Sequence, residues 1–411
     1  MKTVDNINFK NEKALIRVDF NVPLDKSTLQ VTDDTRIKAA LPTIKKILND
    51  GGAVILMSHL GRPKGTKENK YSLSHTISNI EKLLGQKIKF ADDCISEKSF
   101  ELSQSLQSGE VLLLENLRFY PEEEKGDRTF AEKLSKHGTV YVNDAFGTAH
   151  RAHASTTIVA EFFPDNKKCF GYLMAKEVEN LRKILQSPER PFTAIVGGAK
   201  VSDKIKVLES LLNTADNIII GGAMAFTFIK AQGGNVGKSL CEEEHLQTAI
   251  DFLNKVEVIN AKSIKNIRIF LPVDVVCAKE FIDTSEKTVC DIIHIPSDLM
   301  GLDIGPKSIA IFDDVIQSSK SILWNGPMGV FEFQNFEEGT KQMAFSIAKV
   351  TKQQNVFSVV GGGDSVAAVN KYQLDNQISF ISTGGGAMLE FIENGTLPGV
   401  DAIEKTTSKV K

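Results

Sequence analysis

Ten times along the chain a short aliphatic or β-branched run is followed by glycine, asparagine or aspartate and then by a helix-like stretch. The runs of the first half are ALIRVDF (14–20), AVILMSH (53–59), VLLLENL (111–117) and TVYVNDA (139–145). FTAIVGG (192–198), NIIIGGA (217–223), RIFLPVDVV (268–276), SILWNGP (321–327), FSVVGGG (357–363) and ISFISTGGG (378–386) follow. Runs this short and this continuously apolar suit strands covered on both faces, which means parallel sheet. TRIKAALPTIKKILND (35–50) and SLSHTISNIEKLLG (72–85) repeat apolar residues at steps of three and four, as amphipathic helices do. Strand–helix alternation throughout predicts an α/β protein of doubly wound parallel sheets.

At 411 residues the chain exceeds the size at which one hydrophobic core keeps growing, so two domains are expected. GYLMAKEVENLRKILQ has helical periodicity through Leu173, Val178, Leu181 and Leu185, and Ser187-Pro188 then stops it. The expected arrangement is two doubly wound, Rossmann-like lobes, 1–170 and 191–395, joined by an interdomain helix at 171–190. Residues 396–411 form a C-terminal tail whose end, TTSKVK, either frays or folds back.

Charge narrows the partners. Forty-nine basic and 52 acidic residues leave a formal net charge of -3, with no basic excess to meet a nucleic acid or a membrane surface. The first 170 residues hold 25 Lys/Arg against 23 Asp/Glu, a net of +2, and five of the seven histidines. A small anionic ligand suits such a lobe better than a polymer. The five cysteines, at 94, 169, 241, 277 and 290, are odd in number and never in C-x-x-C spacing, which fits reduced thiols. The polar N-terminus and the lack of a long apolar run make a cytoplasmic protein the expectation.

Ligands of open parallel sheets bind at the carboxyl ends of the strands. In the first half those ends deliver charged and hydrogen-bonding side chains: Asp19 and Asn21, with Arg36 opening the next helix; His59 and Arg62; Arg118; then His150, Arg151 and His153. Arginine's planar fork matches phosphate and carboxylate, and the histidines act as cations or as donors. In the second half the strand ends deliver backbone. Gly197-Gly198, Gly221-Gly222, Gly361–Gly363 and Gly384–Gly386 each stand before a predicted helix, where close backbone approach and a positive dipole end suit a polyphosphate. Lys200 and Lys204, four apart, would share one face of a helix, and Asp364 is placed to carry Mg²⁺ to nucleotide phosphates.

Two motif matches fail. GGNVGKS (233–239) has Gln232 where a P-loop needs its first glycine, and it follows a helix-like stretch rather than a strand. No glycine run fits G-x-G-x-x-G, because Val366 and Leu389 hold the last position.

RVDFNVPL (17–24), HLGRP (59–63), LLLENLRF (112–119), NDAFGTAHRAHAS (143–155), GGAKVSDK (197–204), WNGPMGVFE (324–332), GGGDS (361–365) and STGGGA (382–387) together resemble the phosphoglycerate kinases. The resemblance runs in family order over nearly the whole chain. It implies reversible phosphoryl transfer between 1,3-bisphosphoglycerate and ADP, giving 3-phosphoglycerate and ATP, by a monomer using Mg²⁺. It further implies that Asp19, Asn21, Arg36, His59, Leu60, Gly61, Arg62, Arg118 and Arg151 bind the phosphoglycerate, with His150 and His153 in support. For the nucleotide it implies Lys204, Gly301, Glu332, Gly362, Gly363, Asp364 and Ser365, with Lys200 in support. Ser365 stands where the family usually has threonine, and Met388 where serine is usual. The attacking groups are already anionic, so no general base is needed, and Arg36, Lys200, Lys204, Mg²⁺ and the helix start at Gly384 and Gly385 are expected to neutralise the moving charge. A binding protein that had lost transfer would tolerate loss of Lys200, Lys204 or Asp364, and a structural protein would need neither set. Both sets are intact.

Overall fold

The computed structural model describes residues 1–262 and 266–405; the TTSKVK end lies outside the described residues. The chain divides into two compact units, one of residues 1–179 with the C-terminal segment from Thr396, the other Asn180–Gly395.

The first unit is built on six strands, β1 (Lys13–Val18), β2 (Ala53–Met57), β3 (Lys89–Ala91), β4 (Val111–Leu114), β5 (Val140–Asp144) and β6 (Lys168–Phe170). They form one sheet in the order β3-β4-β2-β1-β5-β6, with every pair parallel. Every residue of β2, β4 and β5 is buried, as the unbroken apolar runs required. The helix Thr35–Asn49 lays Ile37, Ala40, Ile44 and Ile47 on the sheet, a three-and-four spacing that makes one apolar stripe. The C-terminal helix Pro398–Glu404 belongs to this unit, where Gly399 N–H donates to the Ala149 carbonyl at 2.8 Å.

The second unit holds β7 (Phe192–Val196), β8 (Asn217–Ile220), β9 (Asn235–Val236), β10 (Arg268–Phe270), β11 (Asp274–Ala278), β12 (Thr288–Asp291), β13 (His294–Ile295), β14 (Met300–Ile304), β15 (Ser321–Asn325), β16 (Phe357–Val360) and β17 (Phe380–Ile381). Six of them make a second parallel sheet, β10-β8-β7-β15-β16-β17. One expectation needs correction. The run 268–276 is not one strand: it breaks at Leu271-Pro272-Val273, where proline has no N–H to give a ladder, into β10 of the parallel sheet and β11 of an antiparallel sheet β12-β11-β14. The helix Tyr172–Gln186 forms where periodicity placed it, and the division between the units falls inside it. Its buried stripe is Met174, Val178, Leu181 and Ile184, so Leu173 and Leu185 lie at the margin of the stripe expected to contain them.

Candidate active site

In each parallel sheet one strand marks where the winding reverses. From β1 the chain moves to β2 on one side and later returns to β5 on the other, so a crevice opens between the carboxyl ends of β1 and β5. Asp19 and Asn21 leave β1 at that crevice. Asp19 Oδ2 accepts from Arg36 Nη1 at 2.7 Å, and its Oδ1 accepts the Asn21 N–H at 3.2 Å. Asn21 Oδ1 in turn accepts the Gly61 N–H at 2.8 Å, and the Gly61 carbonyl accepts from Arg118 Nη1 at 3.1 Å. Gly61 sits at φ +65°, and a Cβ there would stand 2.4 Å from the Tyr71 ring, so only glycine keeps this link between three strand ends. Leu60 is buried, and its carbonyl accepts from Asn116 Nδ2 at 2.7 Å. Arg62 and Arg151 are exposed, and Arg151 Nε donates to His150 Nε2 at 3.1 Å.

Beneath this rim lies a residue that motif reading passed over. Arg17 is fully buried within β1; its Nε donates to Ser155 Oγ at 2.8 Å, and its Nη2 lies 3.2 Å from His59 Nδ1. Glu123, also buried, accepts from the Ser155 N–H at 3.0 Å and from its hydroxyl at 2.5 Å. A buried guanidinium is thus tied through one serine to a buried carboxylate. The clue was available: an arginine inside an otherwise apolar strand must find a partner or not be buried. Burial, reinforced by Arg17, Arg118 and Arg36, holds the His59 imidazole far below its ordinary value. Burial with Arg118, Arg17 and Arg151 pulls His153 down to about 3. Both shifts favour the neutral imidazole over the cation at neutral pH. Arginine can only donate, so His59 Nδ1 accepts and the proton rests on Nε2. His153 Nδ1 is buried without a hydrogen-bond partner.

The second sheet reverses between β7 and β15, whose carboxyl ends carry Gly197-Gly198 and Asn325-Gly326. A cavity of about 440 Å³ opens beside them. Its floor and walls are mainly apolar, with Phe226, Leu240, Val275, Met300, Leu302 and Met328, while Gly198, Gly222, Gly301, Glu332 and Asp364 also line it. None of the apolar residues was singled out in sequence, since an apolar wall looks like core until its cavity is seen. The Gly301 N–H donates to Ser239 Oγ at 2.9 Å, inside the segment that imitates a P-loop.

Lys204 Nζ contacts Asn325 Oδ1, and Asn325 Nδ2 donates to the Gly361 carbonyl at 2.8 Å. Gly362, at φ +94°, caps the helix Gly363–Lys371; a Cβ there would stand 2.7 Å from Asn325 Nδ2. Gly363 and Asp364 are exposed at that helix start, whereas Ser365 is fully buried with its hydroxyl oxygen accepting the Gly326 N–H at 2.6 Å. Ser365 thus ties the turn after β15 to the start of this helix. Gly385 precedes the helix Gly386–Asn394, and Gly384 N–H donates to Ser382 Oγ at 3.2 Å. Met388, where the family usually has serine, is buried and packs against Gly361. The helical face expected for Lys200 and Lys204 is also corrected. The helix begins at Ile205, Lys204 is the residue before it, and Lys200 lies in the exposed loop after β7. Burial pulls the Lys204 ammonium below its ordinary value, and the carboxylates of Asp203, Asp364 and Glu393 oppose that pull.

Parallel sheets with an arginine rim on one and glycine turns, helix starts and a half-buried lysine on the other define an α/β phosphotransferase. A family model described as phosphoglycerate kinase matches residues 4–395. The chain belongs to the phosphoglycerate kinase family, and its activity is the family's phosphoryl transfer in glycolysis and gluconeogenesis. It is 48% identical to the phosphoglycerate kinase of Porphyromonas gingivalis, covering 98% of this chain and 100% of that one. It is 51% identical to that of an Anaeromyxobacter species, over 98% and 99%. The crystal structure from Pyrococcus horikoshii covers 98% of both chains at 33% identity with a TM-score of 0.77; the structure from Coxiella burnetii does so at 39% with 0.88. Among the described residues no helix is long and apolar enough to cross a membrane.

Proposed function

We propose that the rim of Asp19, Asn21, Arg36, His59, Arg62, Arg118 and Arg151 holds 3-phosphoglycerate or its acyl phosphate, and that the second unit's cavity holds ADP or ATP. The observation that carries this is the contrast in chemistry. One crevice presents arginines with neutral histidine donors, suited to a small polyanion. The other joins an apolar cavity, suited to a base, to backbone N–H groups and Lys204, suited to phosphates.

Asp364 fits a metal bound chiefly by phosphates: an exposed carboxylate at the lip of the cavity, beside a glycine-rich helix start, is a share of the kind Mg²⁺ takes from protein. Bound with the nucleotide, Mg²⁺ would neutralise phosphate charge. Lys204 would meet the transferring phosphoryl group, its position set by Asn325, while Asn325 also anchors the Gly361 carbonyl. The helix starts at Gly363 and Gly386 would place unpaired N–H groups toward the same charge. Free carboxylates ionise near pH ~4, so the accepting carboxylate needs no base. Catalysis then rests on positioning and on charge neutralisation. We hold the enzyme to be a cytoplasmic monomer, a reading supported by its thiols and ordinary charge balance, and to work by hinge closure at residues 171–190. Calorimetry tests the assignment: Arg62→Ala should weaken 3-phosphoglycerate binding and leave MgADP affinity within a few-fold, with Lys204→Ala doing the reverse. Loss of nucleotide binding in Arg62→Ala would sink it.

A further inference from the structure

Cys277 lies on β11 and Cys290 on β12. In the antiparallel ladder Val275 pairs with Cys290 and Cys277 with Thr288, so the two cysteines are diagonal neighbours on one face. A register shift in the β11–β14 pairing falls at Val276/Cys277, where a bulge re-aims side chains. Both cysteines belong to one apolar cluster with Phe226, Val275 and Ile292, three residues that also line the cavity. Cys277 is fully buried, with its Sγ 4.0 Å from the Val275 carbonyl oxygen, and Cys290 is half-buried. Cys241, the third cysteine of the cluster, lies outside this ladder.

We propose that Cys277 and Cys290 are a reversible redox pair, and that their oxidation by a peroxide alters the cavity wall. The half-buried Cys290 reacts first: its thiolate takes one oxygen from hydrogen peroxide, giving a sulfenic acid and hydroxide. The Cys277 sulfur then attacks the Cys290 sulfur, the thiol proton leaves with the sulfenic oxygen as water, and the S–S bond forms. Two electrons pass to the peroxide in all, and a dithiol reductant returns them. The order follows from the surroundings, because burial pushes the Cys277 thiol up and keeps it protonated. A disulfide holds its sulfurs at about 2.05 Å, closer than two thiols in contact, so the bond must draw β11 and β12 together at Val275 and Ile292. The predicted effect on nucleotide rests on the cavity being the nucleotide site.

The test is peroxide treatment of the whole protein, followed by non-reducing peptide mapping, thiol counting after denaturation, and kinetics. Free thiols should fall from five to three, a loss of two, with the Cys277 and Cys290 peptides linked. KM for MgADP should rise several-fold, KM for the phosphoglycerate substrate should hold, and dithiothreitol should reverse both changes. Cys290→Ala should show neither change, and Cys241→Ala should show both. A linked peptide containing Cys241, or a sulfinic acid at Cys290 with no link, overturns the pair in the wild-type protein alone, whatever the variants do. A link that leaves every KM unchanged overturns the coupling. A link that moves only the phosphoglycerate KM leaves the pair standing and refutes the reading of the cavity.

Discussion

Lys204 keeps an ammonium where burial opposes charge, supported by Asn325 and by the carboxylates of Asp203, Asp364 and Glu393. On the proposed assignment, removing it takes a fixed cation from the transferring group. Lys204→Ala should cut turnover by a hundredfold or more, about 3 kcal/mol by analogy with loss of one oxyanion donor, while 3-phosphoglycerate binding measured by calorimetry stays within a few-fold. His59 offers a subtler test. Arg17 occupies Nδ1, so only Nε2–H is left to face a ligand. His59→Gln, which presents an amide N–H in a similar place, should retain far more activity than His59→Ala. The pH–rate profile should show no titration of this imidazole near its ordinary value, because its cationic form is suppressed by burial and three arginines. A profile that loses a limb near pH ~6.5 in His59→Gln relative to wild type would contradict the neutral assignment. Neither the tautomer nor Arg17's part was legible in sequence, since each depends on which strand neighbours meet.

The helix Tyr172–Gln186 opens on a buried carboxylate. Asp144 Oδ1 accepts the Met174 N–H at 3.2 Å, while Oδ2 is buried without a hydrogen-bond partner. Burial raises Asp144 to about 7. For an acid raised on folding, the folded chain holds the proton more tightly. Its contribution to stability is complete below pH ~4 and is lost as pH rises toward 7, at up to about 1.4 kcal/mol per pH unit. Asp303, raised to about 8, acts in the same sense, whereas the lowered His137 and His153 act oppositely below pH ~6.5. The readout is therefore a difference: urea denaturation at pH 5 and pH 7 should show Asp144→Asn gaining on wild type as pH rises. A constant gap would remove the charge from the account. At the other helix start, Gly362→Ala must place a side chain at φ +94° against Asn325 Nδ2, 2.7 Å away. That costs about 1–2 kcal/mol in backbone strain. MgATP affinity should fall, with phosphoglycerate binding preserved, as titration calorimetry would show. Glycine runs announced these helix starts correctly at Gly363 and Gly386, but not at Lys200–Lys204, where a turn intervenes before Ile205.

For the whole molecule, transfer requires both ligands at bonding distance with water excluded, so hinge closure should register in solution. A compact globule of this length has a radius of gyration of about 22 Å. The free enzyme should exceed that in X-ray scattering, and 3-phosphoglycerate with a non-transferable MgATP analogue should shrink it more than either ligand alone. A free enzyme already at the compact value and unmoved by both ligands would rule closure out. The two parallel sheets could be read from the chain, because apolar runs buried on both faces are local facts, and so could Asp19 and His59, which stand one and two residues past the ends of β1 and β2. The antiparallel sheet β12-β11-β14, the apolar cavity it walls and the Arg17–Ser155–Glu123 chain could not. Residues far apart in sequence make each of these, and only long-range pairing decides which of them touch. In sequence, Cys277 and Cys290 were merely two of five scattered thiols, and the β11–β12 register makes them diagonal neighbours.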